Sequence, residues 1–248
     1  MKKVSIVMPA YNASRFITES VNSVQNQTYN NWEIIIVNDA STDDTQYRLE
    51  SMAKKDNRIK IINLEKNMGA AYARNIAIKN TRGEFIAFLD SDDTWYPKKL
   101  ERQLKFMERT ESKFSCTFYN KIDENSENLD RIIRYPKYAN YEMLLKYCPG
   151  NSTVIYNAEE LGKFFIPNIK KRNDYIMWLK IIKESKYLNC LEEVLSSHRE
   201  RSDSLSSNKK TLLKYHWIIY RKYEKLSAFK SSFLLLFWIK KTLIRSKF

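Results

Sequence analysis

Glu84-Phe85-Ile86-Ala87-Phe88-Leu89-Asp90-Ser91-Asp92-Asp93 is an apolar, β-prone run that ends abruptly in three carboxylates within four residues. Packing alone does not put three acids at the end of a buried strand. Like charges this close repel, and desolvation raises the cost unless a cation compensates. A divalent metal at the carboxyl end of a strand in an open α/β sheet accounts for them economically. The plainer alternative is a solvated loop in which Asp92 or Asp93 caps the helix that starts near Pro97. An Asp-x-Asp pair alone does not choose between the two, so the rest of the chain must.

Working outward, the first 110 residues alternate strand-like and helix-like segments. Residues 4–8 form a short β-branched run, and residues 14–27 carry Phe16, Ile17, Val21 and Val24 at helical spacing. Residues 33–37 read as a second buried strand. Residues 39–44 then open a helix with Ser41 or Thr42 as N-cap. Residues 58–64 form a third strand, 69–79 an alanine-rich helix, 84–89 the fourth strand, and 97–109 a helix with Pro97 near its first position. This βαβαβαβ order predicts an α/β fold with a parallel sheet and helices on both faces. Right-handed crossovers place Asp39 and Asp90–Asp92 at one edge, outlining a pocket for a polar, phosphorylated ligand. Beyond Phe114 the pattern is irregular. Residues 114–119 and 152–156 read as strands, 141–146 and 175–186 as helices, and 123–128 as a polar hairpin turn.

At 248 residues, 43% hydrophobic and 29% charged, the chain is globular and can bury a full core. Cys116, Cys148 and Cys190 are far apart and form no Cys-x-x-Cys, which argues for free thiols in a reducing, cytoplasmic setting and against zinc. The two histidines, His198 and His216, are too few for a His-rich metal site. Pro9 breaks the first apolar run, so it reads as a strand and not a signal peptide. No run reaches the roughly 18 apolar residues that span a bilayer. The net charge of +14 is concentrated: residues 208–248 hold eleven Lys/Arg against one acid, Glu224, a net +10.

Ordered motifs along residues 1–208 resemble family 2 glycosyltransferases of the GT-A fold. They are Val4-Ser5-Ile6-Val7-Met8-Pro9-Ala10-Tyr11-Asn12, Ile35-Ile36-Val37-Asn38-Asp39-Ala40-Ser41-Thr42-Asp43, Gly69-Ala70-Ala71-Tyr72-Ala73-Arg74-Asn75 and Asp90-Ser91-Asp92-Asp93. Further along come Arg172-Asn173-Asp174-Tyr175-Ile176-Met177-Trp178-Leu179 and a closing segment from Arg199 through Ser204-Leu205-Ser206. Within the family the chain is most similar to bacterial enzymes that build teichuronic acid, capsule or O-antigen polysaccharide.

The resemblance implies a role for each motif. Pro9, Ala10, Tyr11 and Asn12 would hold the nucleotide base, and Asp39 would accept from the imide N–H of uracil; its alternative is to cap the Ser41 turn. Gly69 allows close backbone approach at a helix N-terminus, suited to an anion. Arg74 would lie near the diphosphate, and equally suits an ion pair with Asp90 or Asp92. Asp90, Ser91 and Asp92 would hold the ribose, with Asp90 and Asp92 binding Mn²⁺ or Mg²⁺ across the diphosphate. Asp174 would be the base that deprotonates an acceptor hydroxyl for inverting single displacement; its alternative is to N-cap the helix at Tyr175. The sequence departs from the family at Asn38 and Asn173, where acids are usual. It also departs in His198-Arg199-Glu200-Arg201, where the family often has Tyr-Arg-x-His. Arg201 cannot ligate a metal but can pair with phosphate, and His198 reads as a strand residue.

The expected organisation is a catalytic domain over 1–207 and a basic amphipathic helical tail over 208–248. The domain divides into a nucleotide-binding half (1–110) and an acceptor-binding half (111–207). Residues 233–239, flanked by Lys/Arg, suit an anionic membrane surface, packing on the domain, or a homodimer interface. The expected partners are a UDP-linked sugar donor and a glycan or lipid-linked acceptor, with the enzyme peripheral at the inner face of the plasma membrane. A sugar-phosphate nucleotidyltransferase would want a Gly-rich loop after the first strand, which Pro9-Ala10-Tyr11-Asn12-Ala13 lacks. A nucleic-acid-binding protein would not explain Asp39, Asp90 and Asp92, so no specific nucleic acid is expected.

Overall fold

The computed structural model describes residues 2–169, 171–201 and 209–245. In chain order the elements are β1 (Val4–Ala10), α1 (Ile17–Gln25), β2 (Trp32–Asn38), α2 (Thr45–Ala53), β3 (Ile59–Asn63), α3 (Ala70–Lys79), β4 (Phe85–Phe88), β5 (Thr94–Trp95) and α4 (Lys99–Arg109). They continue as β6 (Phe114–Ile122), β7 (Asn128–Ile133), β8 (Tyr138–Ala139), α5 (Tyr141–Leu144), β9 (Ile155–Asn157), α6 (Ala158–Leu161), α7 (Asn173–Ser185), β10 (Leu188–Arg199), α8 (Lys209–Ile218) and α9 (Ala228–Arg245).

Among the described residues the strands form one mixed sheet in the order β3-β2-β1-β4-β9-β6-β10-β5, with β7 added on β6 and β8 on β10. The β3-β2-β1-β4 block is parallel. β9 then runs antiparallel to both β4 and β6, while β6 and β10 are parallel. β1 and β2 are buried along their whole length, which is why they read as continuous apolar runs. Alternate residues feed two cores. Ile6, Met8, Ile34, Ile36 and Ala87 pack with Val21, Leu49, Leu100 and Met107. Val7, Ile35, Val37, Ile86 and Phe88 pack with Ala73, Ala77 and Trp178. This is the expected layering of a sheet flanked by helices.

Several element starts differ from expectation, each for a local reason. α1 begins at Ile17 and not at Ser14, because residues 13–16 form a turn whose Ala13 carbonyl receives both Phe16 N–H and Ile17 N–H. Neither Ser41 nor Thr42 caps α2. Both are tied to Asn12, whose N–H donates to Ser41 Oγ and whose Oδ1 accepts from Thr42 N–H; Asp43 Oδ1 takes the Thr45 N–H at 3.0 Å. α4 starts at Lys99, since the Pro97 carbonyl is turned to the Thr28 N–H. Residues 151–153 form a 3₁₀ turn, which leaves a strand only at Ile155–Asn157. The hairpin at 123–128 does join β6 to β7.

The tail folds as α8, a π turn over Ile219–Tyr223, and α9. The apolar run 233–239 is not one patch: Leu234 is buried, whereas Phe233 and Leu236 are exposed. The segment Ser204–Ser206 and the expected boundary at 207/208 lie outside the described residues.

Candidate active site

β2, β1 and β4 are adjacent and parallel, so their carboxyl ends come together. After β1, Pro9 and Ala10 are still in the sheet, Ala10 O accepts the Asp39 N–H at 2.8 Å, and Tyr11 is half exposed. Asn12 has φ 45°, a left-handed conformation that asparagine tolerates. It is locked there by its bonds to Ser41 and Thr42.

Asp39 is buried, and its carboxylate accepts Met68 N–H at 2.7 Å and Gly69 N–H at 2.8 Å. It therefore fastens the entry to α3. The cap of the Ser41 turn is Asn38, whose Oδ1 accepts the Ser41 N–H. Gly69 has φ 88°, and no atom lies within 4 Å of where its Cβ would be. The backbone ahead of α3 is thus open to a ligand at a helix N-terminus.

Asp90, at the end of β4, pairs with Arg74 Nη2 at 2.6 Å and accepts from Asn151 Nδ2 at 2.8 Å. Arg74 also donates to Asn173 Oδ1 at 3.0 Å, joining β4 to the start of α7. Burial opposes the Arg74 charge, but Asp90, Asp174 and Asp92 outweigh it, so its pKa is raised. Ser91 turns its carbonyl to Ser20 Oγ on α1. Asp92 faces Arg201 at 3.2 Å; burial, and then the charge of Asp90, push its pKa up against that pairing.

Neither Asp92 nor Asp93 caps α4. Asp93 is buried and accepts from Ser152 Oγ at 2.6 Å and Arg199 N–H at 3.0 Å. Burial and its two acidic neighbours hold its pKa well above the usual carboxylate range. Arg199 is a hub: its guanidinium donates to Asp92 O, Asp123 O, Ser126 Oγ and Glu19. His198 is a strand residue as expected, stacked on Tyr119 at 3.8 Å between ring centroids. Burial and then Lys121 lower its pKa well below the ordinary value.

Asp174 sits in the first turn of α7, half-buried, with no side-chain capping bond. The helix starts one residue earlier, after Arg172 at φ 59°, so Asp174 is not its N-cap. The residues after it, Tyr175 to Leu179, are core residues. The supporting set Asn151, Ser152 and Arg199 was not legible from sequence. All three reach the acids from 59 or more residues away, and no local pattern marks their contacts.

Among the described residues no three His, Cys, Asp or Glu side chains form a metal cage. A cage is not required where a diphosphate supplies ligands, because Mg²⁺ in such sites is commonly held by one or two carboxylates. Asp90 and Asp92 are hard oxygen donors of that number. The residues fit the ion.

Residues 5–164 match glycosyl transferase family 2. The chain belongs to that family. It is a glycosyltransferase. It is 40% identical over 230 residues, 92% of this chain and 91% of the relative, to TuaG of Bacillus subtilis (strain 168), described as a teichuronic acid biosynthesis glycosyltransferase. It is also 40% identical over 217 residues, 86% of this chain and 83% of the relative, to WfgD of Escherichia coli, a UDP-Glc:alpha-D-GlcNAc-diphosphoundecaprenol beta-1,3-glucosyltransferase. Among solved structures, S. aureus TarS 1-349 in complex with UDP-GlcNAc has a TM-score of 0.75 at 22% identity, covering 96% of this chain and 72% of that one. That likeness speaks for the fold.

Proposed function

We propose that the protein transfers a sugar, with inversion, from a UDP-linked donor to a hydroxyl of a lipid-linked glycan in bacterial cell-surface polysaccharide synthesis. The observation that carries this reading is the placement of Asp39 and of Asp90 and Asp92 at the carboxyl ends of β2 and β4, parallel strands on either side of β1, with Arg74 tying Asp90 to the turn that holds Asp174. The names of the relatives TuaG and WfgD support the setting, and WfgD supports the uridine donor.

In this reading Pro9, Ala10, Tyr11, Asn12 and Asp39 form the base end of the donor pocket. Gly69 leaves room for the phosphates. Asp90 and Asp92 would hold Mn²⁺ or Mg²⁺, which would supply charge neutralisation for the departing nucleoside diphosphate. Ser91 and Asp90 border the ribose, and Arg201 pairs with phosphate oxygen as a charge-assisted donor. Asp174 accepts the proton of the acceptor hydroxyl while that oxygen attacks the anomeric carbon opposite the diphosphate. One base and no covalent nucleophile give a single displacement. Residues 1–207 carry this chemistry, and 208–248 form a docking tail whose Ile219, Tyr220 and Leu234 pack into the core of the domain.

The test is a panel of nucleotide sugars scored for release of nucleoside diphosphate, run with Asp174→Asn. The variant should lose transfer by about 10²–10⁴-fold, the range of a general base, and keep its affinity for UDP. Transfer near the parent rate would place the base elsewhere.

A further inference from the structure

Helix α9 has two unlike faces. On one, Ser231 and Leu234 are buried, Trp238 lies 5.0 Å from the His216 ring, and Phe237 meets Tyr147 edge-on at 5.6 Å. At about 100° per residue, Phe229, Phe233 and Leu236 form a row on the opposite side, and they are 86%, 55% and 66% exposed. Lys240, also exposed, extends that row by one turn, and Arg221, Lys222 and Lys225 are exposed just before the helix. α9 itself contains no Asp or Glu. The nearby acids are occupied: Glu224 by Lys183 and Tyr141, and Glu142 by Lys230. Among the described residues no helix is long and apolar enough to cross a membrane.

We propose that this row is a docking surface for an anionic lipid bilayer, with α9 lying in the interface plane, and that docking brings a lipid-borne acceptor to the site. Charge selects the occupant. A second copy of the chain would set the same cations against one another, whereas acidic headgroups complement them and the acyl boundary takes the Phe and Leu side chains. The inner face supplies the second half of the proposal. Tyr147, beneath Phe237, lines a cavity of about 40 Å³ with Thr117, Tyr119, Arg134 and Gly150. Asn151, next in the chain, holds Asp90. The segment on which α9 rests is therefore the segment that borders the carboxylates. Delivery of the acceptor rests on the lipid-linked reading above; docking does not.

The experiment compares the full chain with a Phe229→Ser/Phe233→Ser/Leu236→Ser variant. Each side chain is exposed, so thermal unfolding should be unchanged. On vesicles of phosphatidylcholine with phosphatidylglycerol, the variant should co-sediment at least about tenfold more weakly. The parent should weaken with salt without releasing completely, since the apolar contact is unscreened. Equal binding by variant and parent, or equal parent binding to neutral and anionic vesicles, would overturn docking. A parent dimer that becomes monomeric in the variant would also overturn it, in favour of a second copy. For delivery, the variant should lose transfer to a vesicle-embedded acceptor and keep transfer to a water-soluble analogue. Equal loss of both would overturn delivery alone. Absence of turnover in the parent, with vesicle binding intact, would count against the proposed activity and not against docking.

Discussion

At the scale of single residues, the site is a problem of charge balance. Asp90, Asp92 and Asp93 lie within four residues and are met by Arg74, Arg201 and the backbone N–H of Arg199. Burial and Asp90 already press Asp92 toward its neutral form. Asp92→Asn should therefore leave thermal stability unchanged or slightly raised, and abolish the dependence of UDP affinity on Mn²⁺. Calorimetry with and without the ion reads this, and a metal response equal to the parent's would remove Asp92 from the metal site. Gly150 is a second sensitive position. A Cβ there would lie 2.5 Å from His198 Cε1 and 3.0 Å from Tyr119 Cε1, and those two rings are stacked on each other. Gly150→Ala should cost about 1–3 kcal/mol by overpacking and shift Asn151 off Asp90. Denaturant unfolding gives the cost, and an unchanged midpoint would show that the rings yield. Asp39, Asp90 and Asp92 were legible in the sequence because apolar strands end at them. That Asp39 spends its carboxylate on Met68 and Gly69 was not, because those N–H groups arrive from a loop near β3 and α3.

At the scale of elements, the first four strands were read better than the helix starts. β1 and β2 are buried on both faces, so composition alone marks them. Helix starts depend on where nearby polar side chains send their hydrogen bonds. Ser41 and Thr42 have the chemistry of caps and lose that role to contacts with Asn12. The first three parallel strands are also pinned at their amino ends by Glu33, which is buried between Lys3, Lys60, Ser5 and the Arg82 N–H. Burial raises its pKa, but these partners prevail and bring it from 4.5 down to about 2. A lowered carboxylate pKa stabilises the fold above its unfolded value, and that stability is lost as pH falls through the folded value. Stability should therefore decline between about pH 4.5 and 2, with Glu33 responsible for roughly 3 kcal/mol of it. Glu33→Gln should be less stable at pH 7 and show a flatter acid limb in a pH series of thermal melts. An acid limb parallel to the parent's would assign the loss to other groups.

At the scale of the whole molecule, the βαβ alternation announced the parallel block, and the irregular second half hid the rest. β9 inserts antiparallel between β4 and β6, and β10 returns to cross the sheet beside β6. Neither pairing has a local signature, because both are set by partners far away in sequence. The same distance explains why the tail read as one apolar patch: only the packed neighbours His216 and Tyr147 decide which side of α9 is inward.

Arg199 gives this long-range order a consequence in time. It grips the carbonyl of Asp92 across 107 positions and Glu19 across 180. On a ribosome adding about 5–20 residues per second, Asp92 emerges about 5–20 s before Arg199, which holds its carbonyl, and Arg201, which pairs with its carboxylate. The amino-terminal strands can pair during that interval, and Arg74 and Ser20 can hold Asp90 and Ser91, but Asp92 lacks its partners until β10 and Arg201 arrive. A translation product that stopped before β10 would carry the acids without Arg199 and Arg201, and so without a finished site.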